Sequence, residues 1–149
     1  MVSEREGQLL LAAARLMVGI SVRATEQIGE ASVVQLRALT VLAELQVANL
    51  MQLADRMSVT VSTTSRLVDR LVAAEFVDRR PSEQTRREIS ICLTETGRAV
   101  LQQYDDLRVE KLRTRLAQLP DDRRKVVYDG LSELLSTTDS AAEDPTEPA

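Results

Sequence analysis

Residues 58–65, SVTVSTTS, place six hydroxyl side chains in eight positions, and Arg66 and Arg70 follow one helical turn apart. Side chains of these kinds donate hydrogen bonds to phosphate oxygens and to base edges. A second cluster lies downstream, where Arg79, Arg80, Arg86 and Arg87 stand against Glu83 alone within residues 79–87, a local excess of three positive charges. Chemistry of the enzymatic kind finds no support. The chain has no His to act as general base, its five Gly form no phosphate-cradling loop, and its one Cys has no His partner. A lone Cys92 with scattered carboxylates makes no metal site, and no cofactor is implied. The expectation is a contact surface, not a catalyst.

Such a surface has to be held by helices. Ser3 with Glu6, Ser32 with Gln35 and Asn49 with Gln52 are capping-box pairs, each followed by apolar residues at helical spacing. They predict helices over about 4–27, from Ser32 to about Leu45, and a short one through Leu53, Ala54 and Met57. Thr60 is placed to cap a fourth, whose inward face would be Thr64, Leu67, Val68 and Leu71. Thr64 would then turn inward and bond back to the Thr60 carbonyl. The alternation of Ile89, Ile91 and Leu93 with Glu88, Ser90 and Cys92, after FVDRR and the turn PSEQTR, predicts a β-hairpin. Thr94 and Gly97 open a long helix with the stripe Val100, Tyr104, Leu107, Leu112, Leu116 and Leu119, broken by Pro120. A last helix runs through Val127, Leu131, Leu134 and Leu135.

The fold class expected is mainly α with a small β-hairpin wing (α+β): a winged helix-turn-helix over 32–93, with flanking helices in 1–31 and 94–137 forming a dimerisation region and an acidic, disordered tail over 138–149. In a helix-turn-helix the start of the second helix enters the major groove. That accounts for a helix built at its front from mediocre helix formers: small hydroxyls let the backbone approach DNA. The candidate DNA-binding residues are Thr60, Ser62, Thr63, Ser65, Arg66, Arg70, Arg80, Arg86 and Arg87, with Arg66 as main reader and Asp69 able to hold Arg66 or Arg70 in position. The terminal helices carry more apolar surface than one small domain covers, which points to a two-fold dimer through Leu9, Leu10, Ala13, Leu16, Leu112, Leu116, Val127, Leu131 and Leu134.

LADRMSVTVSTTSRLVDRLVAAEFVDRR followed by TRREISICLTETG resembles the core of the MarR (multiple antibiotic resistance regulator) family of bacterial transcription regulators, and the flanking helices match in length and order to about residue 137. The resemblance implies a homodimeric regulator, with repression the usual outcome, on a palindromic operator in double-stranded DNA. It also implies release by a small, often aromatic and anionic effector held between lobe and dimer helices. Ser62, Thr63, Ser65 and Arg66 match its recognition-helix positions and Arg87 its wing Arg. Thr85 stands where the family usually has Asp, which leaves Arg87 to Glu83 or to no carboxylate; Glu75 and Ser58 stand where Gly, or Gly or Asn, are common.

The net charge of −4 over 149 residues does not oppose this reading. Asp139, Glu143, Asp144 and Glu147 near the C-terminus account for it, and the rest carries 19 bases against 19 acids. The longest apolar run, Leu9–Ala14, is closed by Arg15, far short of the ~18 residues of a membrane span. With no secretory signal and a single Cys, a cytoplasmic location is expected, and Cys92 is expected as a small, partly buried residue. The rival class is a helical protein-interaction module whose Arg face meets an acidic partner without DNA binding.

Overall fold

A computed structural model gives the order α1 (Glu4–Ile28), α2 (Val33–Leu45), α3 (Leu50–Met57), α4 (Val61–Ala73), β1 (Val77–Pro81), β2 (Ile89–Leu93), α5 (Glu95–Leu116) and α6 (Asp121–Ser136). The structure describes residues 3–83, 85 and 88–137. Two compact units divide within α5, one over Met1–Glu110 and one starting at Lys111.

All three capping boxes form. The Ser3, Ser32 and Asn49 side chains accept from the amides of Glu6, Gln35 and Gln52, whose side chains accept in return from the cap amides at 2.7 to 2.9 Å. The hydrogen bonds from Ser3 hold the Glu6 carboxyl below its ordinary pKa. In the first unit, Leu36, Leu39 and Leu42 of α2 and Leu53 of α3 are fully buried. They pack with Leu67, Val68 and Leu71 of α4, Phe76 and Val77, Ile91 and Leu93, and Val100, Leu101 and Tyr104 of α5. Leu and Val make up most of these core residues, as expected of a chain with three aromatic residues.

The hairpin pairs Val77 with Leu93 through Pro81 with Ile89. Its second strand is flanked on both sides, because Ala48, before α3, exchanges hydrogen bonds with Ile91 at 3.1 and 2.7 Å. That link was not legible in the sequence. Neither was the γ-turn before it: the Val47 amide bonds the Leu45 carbonyl at 2.7 Å, with Gln46 at φ 66° and ψ −55°, a rare and strained conformation. Ile89, which the alternation puts on one face with Ile91 and Leu93, is exposed at the outer end of the strand, while those two are buried. Helix α5 ends at Leu116, before Leu119. Pro120, which has no amide to continue the helix, stands at the position before α6 and makes no side-chain cap there.

Two helix ends turn on left-handed residues that are not Gly. At Ser58 (φ 55°) and Glu75 (φ 62°) the amides of these residues bond Asp55 and Val72, and those of Val59 and Phe76 bond Ala54 and Leu71. These are Schellman closures, each costing roughly 1 kcal/mol for the absent Gly. The second delivers Phe76 to the start of α5. There Thr94 donates its hydroxyl to the Glu75 carbonyl at 2.6 Å and accepts from the Gly97 amide at 3.0 Å. A Cβ on Gly97 would lie 2.0 Å from the Phe76 carbonyl oxygen, so no side chain fits.

Helix α1 is apolar outward. Leu9 and Leu10 are 70% and 60% exposed, and its buried residues are confined to Ile20, Ala24 and Thr25. Among the described helices it alone is long and apolar enough to cross a membrane by length and composition, a point the uninterrupted-run criterion passed over. Arg15 and Arg23 lie within it, and each would cost ~3 kcal/mol at a bilayer centre. In the second unit, α6 has no buried residue, and Val126, Leu134 and Leu135 stand exposed.

Gly97→Ala is expected to destabilise the protein by about 2–3 kcal/mol or more, because backbone must move to admit the methyl. Urea unfolding measures this, and a loss under ~0.5 kcal/mol would show the contact to be loose.

Candidate nucleic-acid interface

Three residues separate α3 from α4, and they shape the presented end. Ser58 reverses the chain. Thr60 then accepts from the Thr63 amide at 3.2 Å and donates to the Thr63 hydroxyl at 2.9 Å, with the Ser62 hydroxyl 3.3 Å away. Thr64 is fully buried and donates to the Thr60 carbonyl at 3.0 Å. The six hydroxyls therefore divide by role: Thr60 and Thr64 lock the first turn, Ser58 makes the bend, and Ser62, Thr63 and the half-buried Ser65 remain toward the outside.

Helix α4 buries Thr64, Leu67, Val68 and Leu71. With 3.6 residues per turn, the opposite side is a row of Ser62, Arg66 and Asp69, with Thr63 and Arg70 beside it. Among the described residues Arg66 and Arg70 have no ion-pair partner. Two exposed guanidinium groups thus flank a helix whose front carries only small side chains and whose free amides present positive dipole ends. This arrangement can receive an anion along one flank and hydrogen-bond a polar edge along the other.

Asp69 was expected to hold Arg66 or Arg70. It instead pairs with Arg79 of β1, joining α4 to the hairpin. Only packing could select that partner, since Arg79 is ten residues away and Arg66 and Arg70 are nearer in sequence. Arg80, on the same strand, is exposed and lies 3.3 Å from Asp78. Arg86 and Arg87 lie outside the described residues. Cys92 is half-buried, with its sulfur 3.9 Å from the Asp78 carbonyl oxygen. A cleft of about 500 Å³ opens beside it, lined by Asn49, Gln52, Arg80 and Glu88 among others. Another of about 390 Å³ lies between Leu42 and Gln46 of the α2 end, Leu93, and Arg98 and Leu101 of α5.

The MarR family pattern matches residues 32–89, the span from α2 to the second strand. Over 110 residues the chain is 30% identical to the uncharacterised HTH-type transcriptional regulator YfiV of Bacillus subtilis, covering 74% of this chain and 69% of that protein. The chain belongs to the MarR family. Its backbone is similar to the crystal structure of RV1404 from Mycobacterium tuberculosis, with a TM-score of 0.80, 33% identity and 92% of each chain covered. It is also similar to a mutant of MepR from S. aureus, solved with an oligodeoxyribonucleotide, at a TM-score of 0.66 and 21% identity, covering 87% of this chain and 95% of that one. MarR proteins are transcription regulators with a winged helix-turn-helix, and α3, α4 and the hairpin are those parts here.

Loss of the cap should be separable from loss of the surface. Thr60→Ala is expected to cost about 1 kcal/mol of stability and Thr60→Ser much less, since Ser keeps the capping oxygen. Thermal unfolding of the two variants checks it, and equal losses would assign the effect to the methyl group.

Proposed function

We propose that this chain is a repressor that binds double-stranded DNA as a homodimer, reading a palindromic operator with the front of α4 and touching the flanking backbone with the hairpin. The observation that carries this reading is the outward side of α4: short hydroxyls at Ser62 and Thr63, then Arg66 and Arg70, which have no ion-pair partner among the described residues. Arg66 is the base reader, because guanidinium to guanine is the commonest specific contact. Thr60 and Ser65 support the approach of the helix, and Arg80, Arg86 and Arg87 meet phosphate or the minor groove. The chain works in the cytoplasm and has no catalytic role of its own. MepR was solved with an oligodeoxyribonucleotide, and the likeness of fold supports the same use here.

The dimer follows from what the single chain leaves in water. Leu9 and Leu10 on α1, with Leu134 on α6, are exposed leucines that a second copy would cover, at about 1.5–3 kcal/mol for each one buried. Ala13, Leu16, Leu112, Leu116, Val127 and Leu131 complete the proposed interface, so residues 1–31 and 94–137 serve dimerisation while 32–93 serve DNA. Release by a small anionic ligand is supported by the cleft at Arg98, whose guanidinium has no ion-pair partner among the described residues.

Two measurements test the reading. In sedimentation, the wild-type chain is expected as a dimer and Leu10→Glu as a weakened one; a monomer at micromolar concentration would sink the symmetric operator. In gel shifts against fragments selected from genomic DNA, Arg66→Ala is expected to lose at least tenfold in affinity. Wild-type binding should fall about 10³-fold from 50 to 200 mM salt if some six phosphates are contacted. Association with an acidic protein, and none with DNA, would favour the interaction-module reading.

A further inference from the structure

Asp69 occupies a place where a groove-facing helix has little use for negative charge. It lies on the row opposite the buried side of α4, one turn beyond Arg66, where backbone phosphates would repel it. Its partner, however, is not one of the arginines available on its own helix. Arg79 reaches it from β1, and Arg66 and Arg70 stay unpaired among the described residues. The pair also leaves the carboxylate largely open, for the Asp69 side chain is 61% exposed while that of Arg79 is 38% exposed. One edge of the carboxylate is therefore held by a guanidinium anchored on the hairpin, and the other edge faces outward. Arg79 fixes the direction of the charge and keeps it from neutralising Arg66.

We infer that Asp69 is a specificity-determining residue: its open edge accepts a hydrogen bond from an exocyclic base amine, that of cytosine foremost, in the major groove. Arg79 is the residue that positions it. The inference rests on the reading of α4 as the helix that enters the groove. Where the amine is present, the carboxylate is satisfied. Where it is absent, a charge is left desolvated near phosphate, so Asp69 lowers affinity for every wrong site more than for the right one. An ion pair this exposed does little to hold the fold together, and Asp69→Asn keeps an oxygen for Arg79 while removing the charge. The fold therefore survives the test.

Fluorescence anisotropy at fixed salt decides it, with two probes: a duplex enriched by the wild-type protein from a randomised pool, and an unenriched duplex of equal length. Asp69→Asn is expected to bind the unenriched duplex more tightly and to lose about tenfold in its preference for the enriched one, with an unchanged melting temperature. Arg79→Gln should lower the preference in the same direction. The double variant Asp69→Arg with Arg79→Asp restores an ion pair but not a carboxylate on α4, and its preference should stay low. An unaltered preference in Asp69→Asn overturns the inference, and so does recovery in the double variant, which would make the pair a strut and nothing more. If the wild-type protein enriches no duplex, the groove-facing reading of α4 fails and takes this inference with it.

Discussion

The approach of Gly97 to the Phe76 carbonyl is the constraint on which the rest of the DNA-facing half depends. At that point the end of α4, the start of the hairpin and the first turn of α5 meet, with no room for a Cβ. Thr94 ties the same place twice, once to the Glu75 carbonyl and once to the Gly97 amide. Because α4 is short, the position of its last turn sets the position of its first. The hydroxyl-bearing tip is thereby aimed from its far end.

The tip itself is a compromise between a thin surface and a stable helix. Ser, Thr and Val give up a few tenths of a kcal/mol each relative to better helix formers. The Thr60 cap returns about 1 kcal/mol, and burial of Leu67, Val68 and Leu71 returns several more. Propensity is thus outweighed by packing on one side of α4, which frees the other side for contact. The left-handed turns at Ser58 and Glu75 work against stability on the same scale, and they persist because the core over-determines the paths on either side of them.

Charge is distributed by a similar logic. The whole chain is acidic, yet Arg66 and Arg70 of α4 and Arg79 and Arg80 of β1 all stand exposed, and Asp69 and Asp78 are each engaged by an arginine of the hairpin. At a screening length of about 8–10 Å, an anion brought up to α4 would feel Arg66 and Arg70 and little of the distant acidic residues. Apolar surface is divided as well: the first unit closes a core around α2 to α5, while α1 and α6 keep leucines in water. On α1 that surface is what burial of Ile20, Ala24 and Thr25 leaves over, while α6 buries no residue at all.

Local grammar wrote most of the elements into the chain. Three capping boxes, the Thr60 cap, the inward Thr64 and the hairpin alternation are contacts within four residues or periods of two and 3.6, so a reader of the sequence meets cause and effect side by side. The same applies to the candidate interface insofar as it lies on one helix, Ser62 to Arg70. Tertiary structure decided what joins distant residues: the Asp69–Arg79 link and the Ala48–Ile91 pairing. Neither of these has a local signature, because each partner is chosen by where packing brings it among several chemically equivalent candidates. An arginine is as good for Asp69 from one direction as from another until the core has placed the strand.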